Sequence, residues 1–176
     1  MASIVIVSGC PGSGKTILSE SLARCEPQGL HLPTDVFYGF PAEPIDPTLK
    51  ESHHQNTVIM QALARCASAF AEGGYHVVLD GIIGPWFLPT LRDEFSGGTA
   101  VSYVVLHAPE AEALRRVRQR QGPGASSRVR HMVSAFSDLG PYRAHVIETA
   151  GCTPAEVLAT TQLGLAEGRF RLGWKA

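Results

Sequence analysis

The sequence has no excess of charge of either sign. Its 176 residues include 15 Lys and Arg against 16 Asp and Glu, which gives a formal net charge of −1 at pH 7. A balanced charge produces no overall field that would draw the chain to nucleic acid or to an anionic membrane. The sequence also lacks an apolar run long enough to cross a bilayer, and residues 1–7 carry neither a basic region nor a cleavage site. We therefore expect a cytoplasmic protein without nucleic-acid or membrane partners.

Cysteine pairs are also missing. Cys10, Cys25, Cys66 and Cys152 are far apart, with no CxxC pair and no histidine at zinc-ligand spacing. A chain of this length does not need disulfides, so we expect four reduced thiols. Cys10 is expected to fill a variable position before a helix, although a helix N-terminus would lower its thiol pKa and make it sensitive to alkylation.

The chain contains no internal repeat, no low-complexity tract and no interdomain linker. With 44% apolar residues it can bury one well-formed core, but it is too short for two full domains. We predict a single domain over residues 1–176, as a monomer or a homodimer.

One specific motif stands out, between an apolar run at residues 4–7 and a helical pattern. Its eight residues are Gly9, Cys10, Pro11, Gly12, Ser13, Gly14, Lys15 and Thr16. The glycines let successive backbone N–H groups face a di- or triphosphate at a helix N-terminus. Lys15 supplies positive charge for the β- and γ-phosphates, and Thr16 places its hydroxyl where Mg²⁺ would be held. The motif predicts a phosphate-binding loop (P-loop) for a nucleoside triphosphate and Mg²⁺.

Strand and helix patterns alternate along the chain. The apolar patterns predict strands at residues 4–7, 30–32, 75–81, 100–106 and 145–147. The helical spacing predicts helices at residues 17–25, 52–72, 109–121, 129–136 and 153–168, with a short one after Gly84. Such alternation implies a parallel sheet covered on both faces. We predict an α/β protein with the P-loop NTPase fold and a five-stranded parallel sheet.

Three segments receive separate predictions. Two helices joined by Gly122-Pro123-Gly124 are expected to form a helical lid at about residues 115–140. Residues 36–50 contain three prolines and are expected to form a loop that covers an acceptor. Residues 169–176 are expected to form a short tail. The aromatic residues Phe37, Tyr38, Trp86 and Phe87 are expected to belong more to the core than to a pocket.

Two carboxylates and an arginine-rich stretch are candidates for the chemistry. Asp35 follows the second strand and Asp80 ends the third, at the sheet edge where open α/β folds bind ligands. Each carboxylate can instead be a turn or element cap. Arg116 and Arg120 lie one helical turn apart, so both can reach one triphosphate unless they form a solvated face, as we expect for Arg115 and Arg118.

In the order of these features the chain resembles small P-loop kinases. It is similar to the group of chloramphenicol phosphotransferase, zeta-toxin, gluconate kinase and shikimate kinase, and most of all to the AAA-type kinase-like members of that group in bacteria. The stretches that look most like those members are residues 52–56 (SHHQN), 79–81 (LDG) and 167–170 (EGRF).

The resemblance implies roles for the candidate residues. Asp35 would orient the acceptor hydroxyl and accept its proton, and Asp80 would help Thr16 to hold Mg²⁺. Arg116 or Arg120 would contact adenine or the γ-phosphate, and Thr149 would lie beside the adenine ring. The chain departs from shikimate and gluconate kinases because Thr34, not a second acid, lies beside Asp35.

Together these features predict a phosphotransferase that moves the γ-phosphoryl group of ATP to a hydroxyl of a small, uncharged molecule. Arg65 is the only arginine between Leu32 and Tyr75, which disfavours a nucleoside monophosphate kinase. The sequence leaves open a nucleotide-dependent binding protein with little turnover and a toxin-like kinase. The missing N-K-x-D segment disfavours a GTPase.

Overall fold

The chain, in a computed structural model, is described here for residues 3–95, 98–121 and 126–174. In these ranges five strands form one sheet in the order β2-β3-β1-β4-β5. The strands are β1 (Ser3–Gly9), β2 (Gly29–Pro33), β3 (His76–Asp80), β4 (Ala100–His107) and β5 (Val146–Glu148). All four pairings of neighbouring strands are parallel, which confirms the predicted sheet.

Seven α-helices are seen in the described part of the chain. They are α1 (Lys15–Arg24), α2 (Thr34–Tyr38), α3 (His53–Glu72), α4 (Leu88–Glu94), α5 (Glu110–Gln121), α6 (Ser126–Ala135) and α7 (Pro154–Ala166). Short 3₁₀ turns precede α3, α4 and β5, at Lys50–Ser52, Pro85–Phe87 and Gly140–His145. None of the described helices is both long and apolar enough to span a membrane.

Alternate strand residues pack against different helices. On one face Ile4, Ile6 and Leu79 pack against Met60 and Leu63 of α3. On the other face Val7, Val78 and Val104 pack against α1 and α7, through Leu18, Leu22 and Val157. Both faces of the sheet are therefore covered, as the alternating pattern predicted.

The expected loop at residues 36–50 begins later than predicted. Residues 34–38 form α2, because the first proline after Pro33 is Pro41 and nothing before it prevents a helical turn. The fifth strand also differs slightly, since His145 ends a 3₁₀ turn and β5 starts at Val146.

Residues 169–174 of the expected tail are part of the fold. Phe170 and Leu172 are buried, and the Phe170 carbonyl accepts a hydrogen bond from the Tyr103 N–H at 2.9 Å. The Leu172 N–H donates to the Val101 carbonyl at 2.9 Å, and Arg171 forms an antiparallel bridge with Ser102. The prediction of a tail was wrong because its apolar residues pair with the outer edge of β4, a long-range contact.

The start of α2 is fixed by a close contact with the end of β3. Thr34 is 2% exposed, and a Cβ at Gly81 would lie 1.9 Å from the Thr34 hydroxyl oxygen. A glycine at position 81 therefore lets Thr34 pack directly over the backbone that follows Asp80. This contact positions Asp35, the next residue of α2.

We expect Gly81→Ala to lower the free energy of unfolding by about 1–3 kcal/mol, because the new methyl group must displace a buried, β-branched side chain. Urea denaturation measures the change. Gly173→Ala is the matched control, since no heavy atom lies within 4 Å of a Cβ placed there. Equal unfolding midpoints for the two variants and the unmodified chain would contradict the close packing of Thr34.

Candidate functional site at the P-loop

The P-loop runs between the end of β1 and the start of α1, close to β4 and α5. Gly9 and Gly12 have φ angles of 139° and 83°, in the region that favours glycine. A Cβ at Gly9 would lie 2.2 Å from the Leu106 carbonyl oxygen, and one at Gly12 would lie 2.7 Å from the Ala113 carbonyl oxygen. The loop therefore needs glycine at both positions.

The loop also leaves polar groups for an anion. Ser13 is 1% exposed, and its hydroxyl has no hydrogen-bond partner among the described residues. Gly14 precedes α1 with a φ of 99°, provides no side-chain cap, and would have no heavy atom within 4 Å of a Cβ. A buried hydroxyl and an uncapped helix N-terminus fit the oxygens of a phosphate group. The Lys15 ammonium lies at the same loop, where it donates to the Cys10 carbonyl at 3.0 Å.

Asp80 lies on the α1 side of the sheet. It is paired in register with Val7, which packs against Leu18 of α1. The Asp80 carboxylate is 6% exposed, and His31 Nε2 lies 3.2 Å from its Oδ2 atom. Sequence reasoning missed His31 because the contact joins two strands 49 residues apart.

Thr16, in the first turn of α1, is exposed. Within the described ranges, no cluster of three or more His, Cys, Asp or Glu residues is placed to hold a metal ion. A Mg²⁺ ion at this loop would therefore take most of its ligands from phosphate, water and the Thr16 hydroxyl.

A cavity of about 280 Å³ adjoins the P-loop on the side of α5 and α7, and we call it the loop cavity. Its lining includes Gly12, Arg116, Thr149, Cys152 and Val157. Thr149 is buried, and its hydroxyl donates to the His107 carbonyl at 3.0 Å, which fixes the segment after β5. The structure thus brings Arg116 and Thr149 to one cavity beside the loop.

Arg116 is attached to the P-loop itself. Its Nη1 atom donates to the Gly12 carbonyl at 3.1 Å, and its Nη2 atom pairs with the Glu112 carboxylate one turn earlier on α5. Sequence reasoning placed Glu112 at the start of the helix but missed its pairing with Arg116, although the i, i+4 spacing was a usable signal. Arg120 belongs to the same helix, but its side chain is not among those that the structure describes. The same holds for Arg128, which follows the predicted hinge.

The expectation of a lowered thiol pKa at Cys10 was wrong. Its side chain is 1% exposed and packs with Ala113, Val117, Val129 and Met132 of α5 and α6. Burial raises the pKa of the Cys10 thiol, and this effect outweighs the lowering by the Lys15 charge. Cys10 is therefore a packing residue that joins the P-loop to the two helices of the predicted lid. Closure of these helices stays a prediction, and the Gly122-Pro123-Gly124 hinge lies outside the described residues.

A second cavity, of about 470 Å³, lies at the start of α2, and we call it the Asp35 cavity. The polar residues that line it are Thr34, Asp35, Thr48 and Asn56. Its apolar lining is formed by Tyr38, Pro47, Ile82, Trp86, Phe87 and Met132. Asp35 is exposed on this cavity, near the carboxyl end of β2 where the sequence predicted a ligand.

The aromatic residues divide between core and cavity. Phe37, Tyr38 and Phe87 pack against the main core, as predicted, but Tyr38 and Phe87 also line the Asp35 cavity. Trp86 was predicted to be a core residue and is 48% exposed. The reason is that the Pro85–Phe87 turn lifts Trp86 away from the sheet, above Gly84.

Ser8, just before the P-loop, holds the segment after β3. Its hydroxyl donates to the Ile83 carbonyl at 2.7 Å and accepts from the Ile83 N–H at 3.0 Å. The Tyr103 hydroxyl donates to the same carbonyl at 2.8 Å, and burial raises the pKa of Tyr103. These bonds fix Ile82, which lines the Asp35 cavity, relative to the P-loop.

Comparisons with known proteins agree with this geometry. The AAA domain family matches residues 5–132. A search of curated proteins found no match. Among solved structures, a sugar kinase from Janibacter sp. HTCC2649 is 19% identical, with a TM-score of 0.71 over 94% of this chain and 95% of that one. A gluconokinase from Sinorhizobium meliloti 1021 is 22% identical, with a TM-score of 0.68 over 94% and 92%.

A third structure is the APS kinase of Mycobacterium tuberculosis in complex with AMPPNP and APS. It is 17% identical, with a TM-score of 0.69 over 94% of this chain and 98% of that one. At such identities the likeness shows a common fold. The family match takes in the P-loop, Asp35, Asp80 and Arg116. The chain therefore belongs to the AAA domain family, and its fold is the P-loop NTPase fold of these small kinases.

Proposed function

We propose that the chain is an ATP- and Mg²⁺-dependent phosphotransferase that moves the γ-phosphoryl group to a hydroxyl of a small, uncharged molecule. The observation that carries the proposal is a pair of cavities at the P-loop end of the sheet. One is lined by Arg116 and Thr149, and the other by Asp35. A phosphoryl transfer between two bound molecules needs such a pair of sites.

The loop cavity suits the nucleotide. Its wall includes Val157 and Pro154, which offer apolar surface to a base, and it opens beside Gly12 and Gly14 of the P-loop. In the proposed complex Lys15 and Arg116 neutralise phosphate charge, and the Ser13 hydroxyl donates to a phosphate oxygen. A bound Mg²⁺ would supply further positive charge at the phosphates, and Thr16 and Asp80 would hold it.

Asp35 suits the acceptor. Its carboxylate is the only negative charge among the described residues that line the Asp35 cavity, and it can accept a hydrogen bond from an acceptor hydroxyl. As the acceptor oxygen bonds to the γ-phosphorus, the bond from that phosphorus to the ADP oxygen breaks. The hydroxyl proton passes to Asp35, whose main contribution is to orient the attacking oxygen.

The cavity supports an uncharged acceptor. No lysine or arginine is among its described lining residues, so a phosphate or carboxylate bound there would lack a cationic partner. Arg65 cannot provide one, because it does not line this cavity, and its guanidinium binds Glu94 at 2.7 and 3.1 Å. These contacts weigh against a nucleoside monophosphate kinase. The open cavity beside Asp35 likewise weighs against a binding protein without turnover.

ADP release with Mg²⁺ and ATP, measured against a panel of hydroxyl acceptors, tests the proposal. We expect one acceptor class to stimulate release, and Asp35→Asn to lower that stimulated rate by about 10²–10⁴-fold, because the proton acceptor is lost. Nucleotide affinity should stay unchanged in this variant. Lys15→Ala is the contrasting variant, and we expect it to weaken ATP binding by about 10–100-fold through loss of a charged contact.

Full acceptor-stimulated turnover in Asp35→Asn would show that Asp35 is not the proton acceptor. Tight binding of ATP with no stimulation by any acceptor would instead favour the nucleotide-dependent binding protein.

Thiol labelling tests the nucleotide site without an acceptor. Cys152 is exposed and lines the loop cavity, whereas Cys25 is exposed at the end of α1 and does not line it. We expect Mg²⁺-ATP to slow iodoacetamide labelling of Cys152 and to leave that of Cys25 unchanged, as read by mass spectrometry. Cys10 should label slowly with or without nucleotide, because burial raises its thiol pKa. Equal labelling of Cys152 with and without ATP would place the nucleotide elsewhere.

A further inference from the structure

Trp86 packs closely against neighbouring residues, yet about half of it is exposed to solvent. A Cβ at Gly84 would lie 2.2–2.4 Å from three atoms of the Trp86 indole, so the ring rests directly on the Gly84 backbone. The Phe136 ring, just after α6, meets the indole edge to face, with 5.7 Å between ring centroids. Yet Trp86 is 48% exposed. An indole that is held by such contacts and is still 48% exposed is a preformed surface for a flat apolar group.

The exposed indole borders two cavities. One is the Asp35 cavity, and the other is a cavity of about 490 Å³ that is lined by Lys50, His53 and Thr90, which we call the Lys50 cavity. Asn56, Trp86 and Phe87 line both of them. A ligand in the Asp35 cavity can therefore extend across the indole, and a molecule the size of one sugar ring would leave that surface uncovered.

Asn56 adds a polar anchor beside the indole. It is 8% exposed, and its amide nitrogen donates to the Pro47 carbonyl and to the Ser52 hydroxyl, both at 2.9 Å. These two bonds use both amide protons, and the Oδ1 atom has no partner among the described residues. A buried, unpaired oxygen is costly, and a ligand hydroxyl or N–H would satisfy it.

We propose that the acceptor is an uncharged hydroxyl compound that also carries an aromatic group, which stacks on Trp86 while the hydroxyl faces Asp35. This inference rests on the proposed function. The substrate class is that of aryl glycosides, nucleosides and similar molecules, in which a ring is joined to a hydroxyl-bearing part. Free sugars and polyols cover Asp35 and Asn56 but leave the apolar wall of Trp86, Phe87 and Met132 in water.

Binding of two matched glucosides tests the proposal on the full chain. Phenyl β-D-glucopyranoside and methyl β-D-glucopyranoside have the same hydroxyls and differ only in the aromatic group. We expect ligand-observed NMR titration to give the phenyl compound an affinity about tenfold higher, because only its ring is removed from water on the indole. Trp86→Ala should abolish most of the difference, and Trp86→Phe should restore it in part.

Trp174→Phe is the matched control. Trp174 packs against Phe95, with 5.9 Å between ring centroids, and lines neither cavity. We expect this variant to keep the full difference between the two glucosides. Equal affinities, tighter binding of the methyl compound, or no binding of the phenyl compound at millimolar concentration would overturn the proposal. A full affinity difference between the two glucosides in folded Trp86→Ala would also overturn it. If Trp86→Ala does not fold, the same comparison between Trp86→Phe and the unmodified chain decides the question.

The titration separates this inference from the proposed function, because it uses neither ATP nor turnover. Selective binding of the phenyl glucoside without acceptor-stimulated ADP release would support the aromatic site and contradict the kinase. Acceptor-stimulated release that is fastest with free sugars would support the kinase and contradict the aromatic site.

Discussion

The close approach of the P-loop to β4 and α5 is the constraint on which the rest of the site depends. Because Gly9 and Gly12 have no side chains, the loop lies against the Leu106 and Ala113 carbonyl groups. At that distance Cys10 enters the cluster of α5 and α6, and Arg116 reaches the Gly12 carbonyl. The loop stays open at Gly14, where no heavy atom lies within 4 Å of a Cβ placed on the backbone. The shape of the anion site is therefore set by backbone packing more than by charged side chains.

Two further contacts fix the position of the Asp35 cavity relative to the P-loop. The Ser8 hydroxyl, near the end of β1, donates to the Ile83 carbonyl. Thr34 packs against Gly81, which directly follows β3. The Asp35 cavity is thus built on the carboxyl ends of adjacent parallel strands, the position where open α/β sheets bind ligands. Helix α6 completes the arrangement, because Met132 belongs both to the cluster around Cys10 and to the wall of the Asp35 cavity. One packed cluster therefore joins the P-loop to the wall of the Asp35 cavity.

Much of this architecture could be predicted from the sequence, because its signals are local. The P-loop motif is contiguous, and the apolar periods of strands and helices are read within one element. Asp35 and Asp80 could be singled out as candidates because Asp35 lies two residues after β2 and Asp80 ends β3. The parts that were missed depend on contacts between distant segments: His31 with Asp80, Thr34 with Gly81, and the tail with β4. Trp86 was misplaced because composition predicts that aromatic residues are buried but does not show which of them a proline turn lifts out of the core.

The pairing of residues 170–172 with β4 has a consequence for association between chains. Strand β5 pairs only with Val105–His107, the second half of β4. Without another partner, the first half of β4 would be an open edge of the sheet. The Tyr103 N–H and the Val101 carbonyl, which would template a strand from another molecule, are instead bonded to Phe170 and Leu172. Phe170 and Leu172 are also buried: Leu172 belongs to the core on the α3 face of the sheet, and Phe170 to the core on the α1 and α7 face. Residues 170–172 thus protect the edge of β4 from pairing with a strand of another molecule. A chain without them would expose unpaired backbone groups of β4 and be prone to aggregate, even with an intact P-loop.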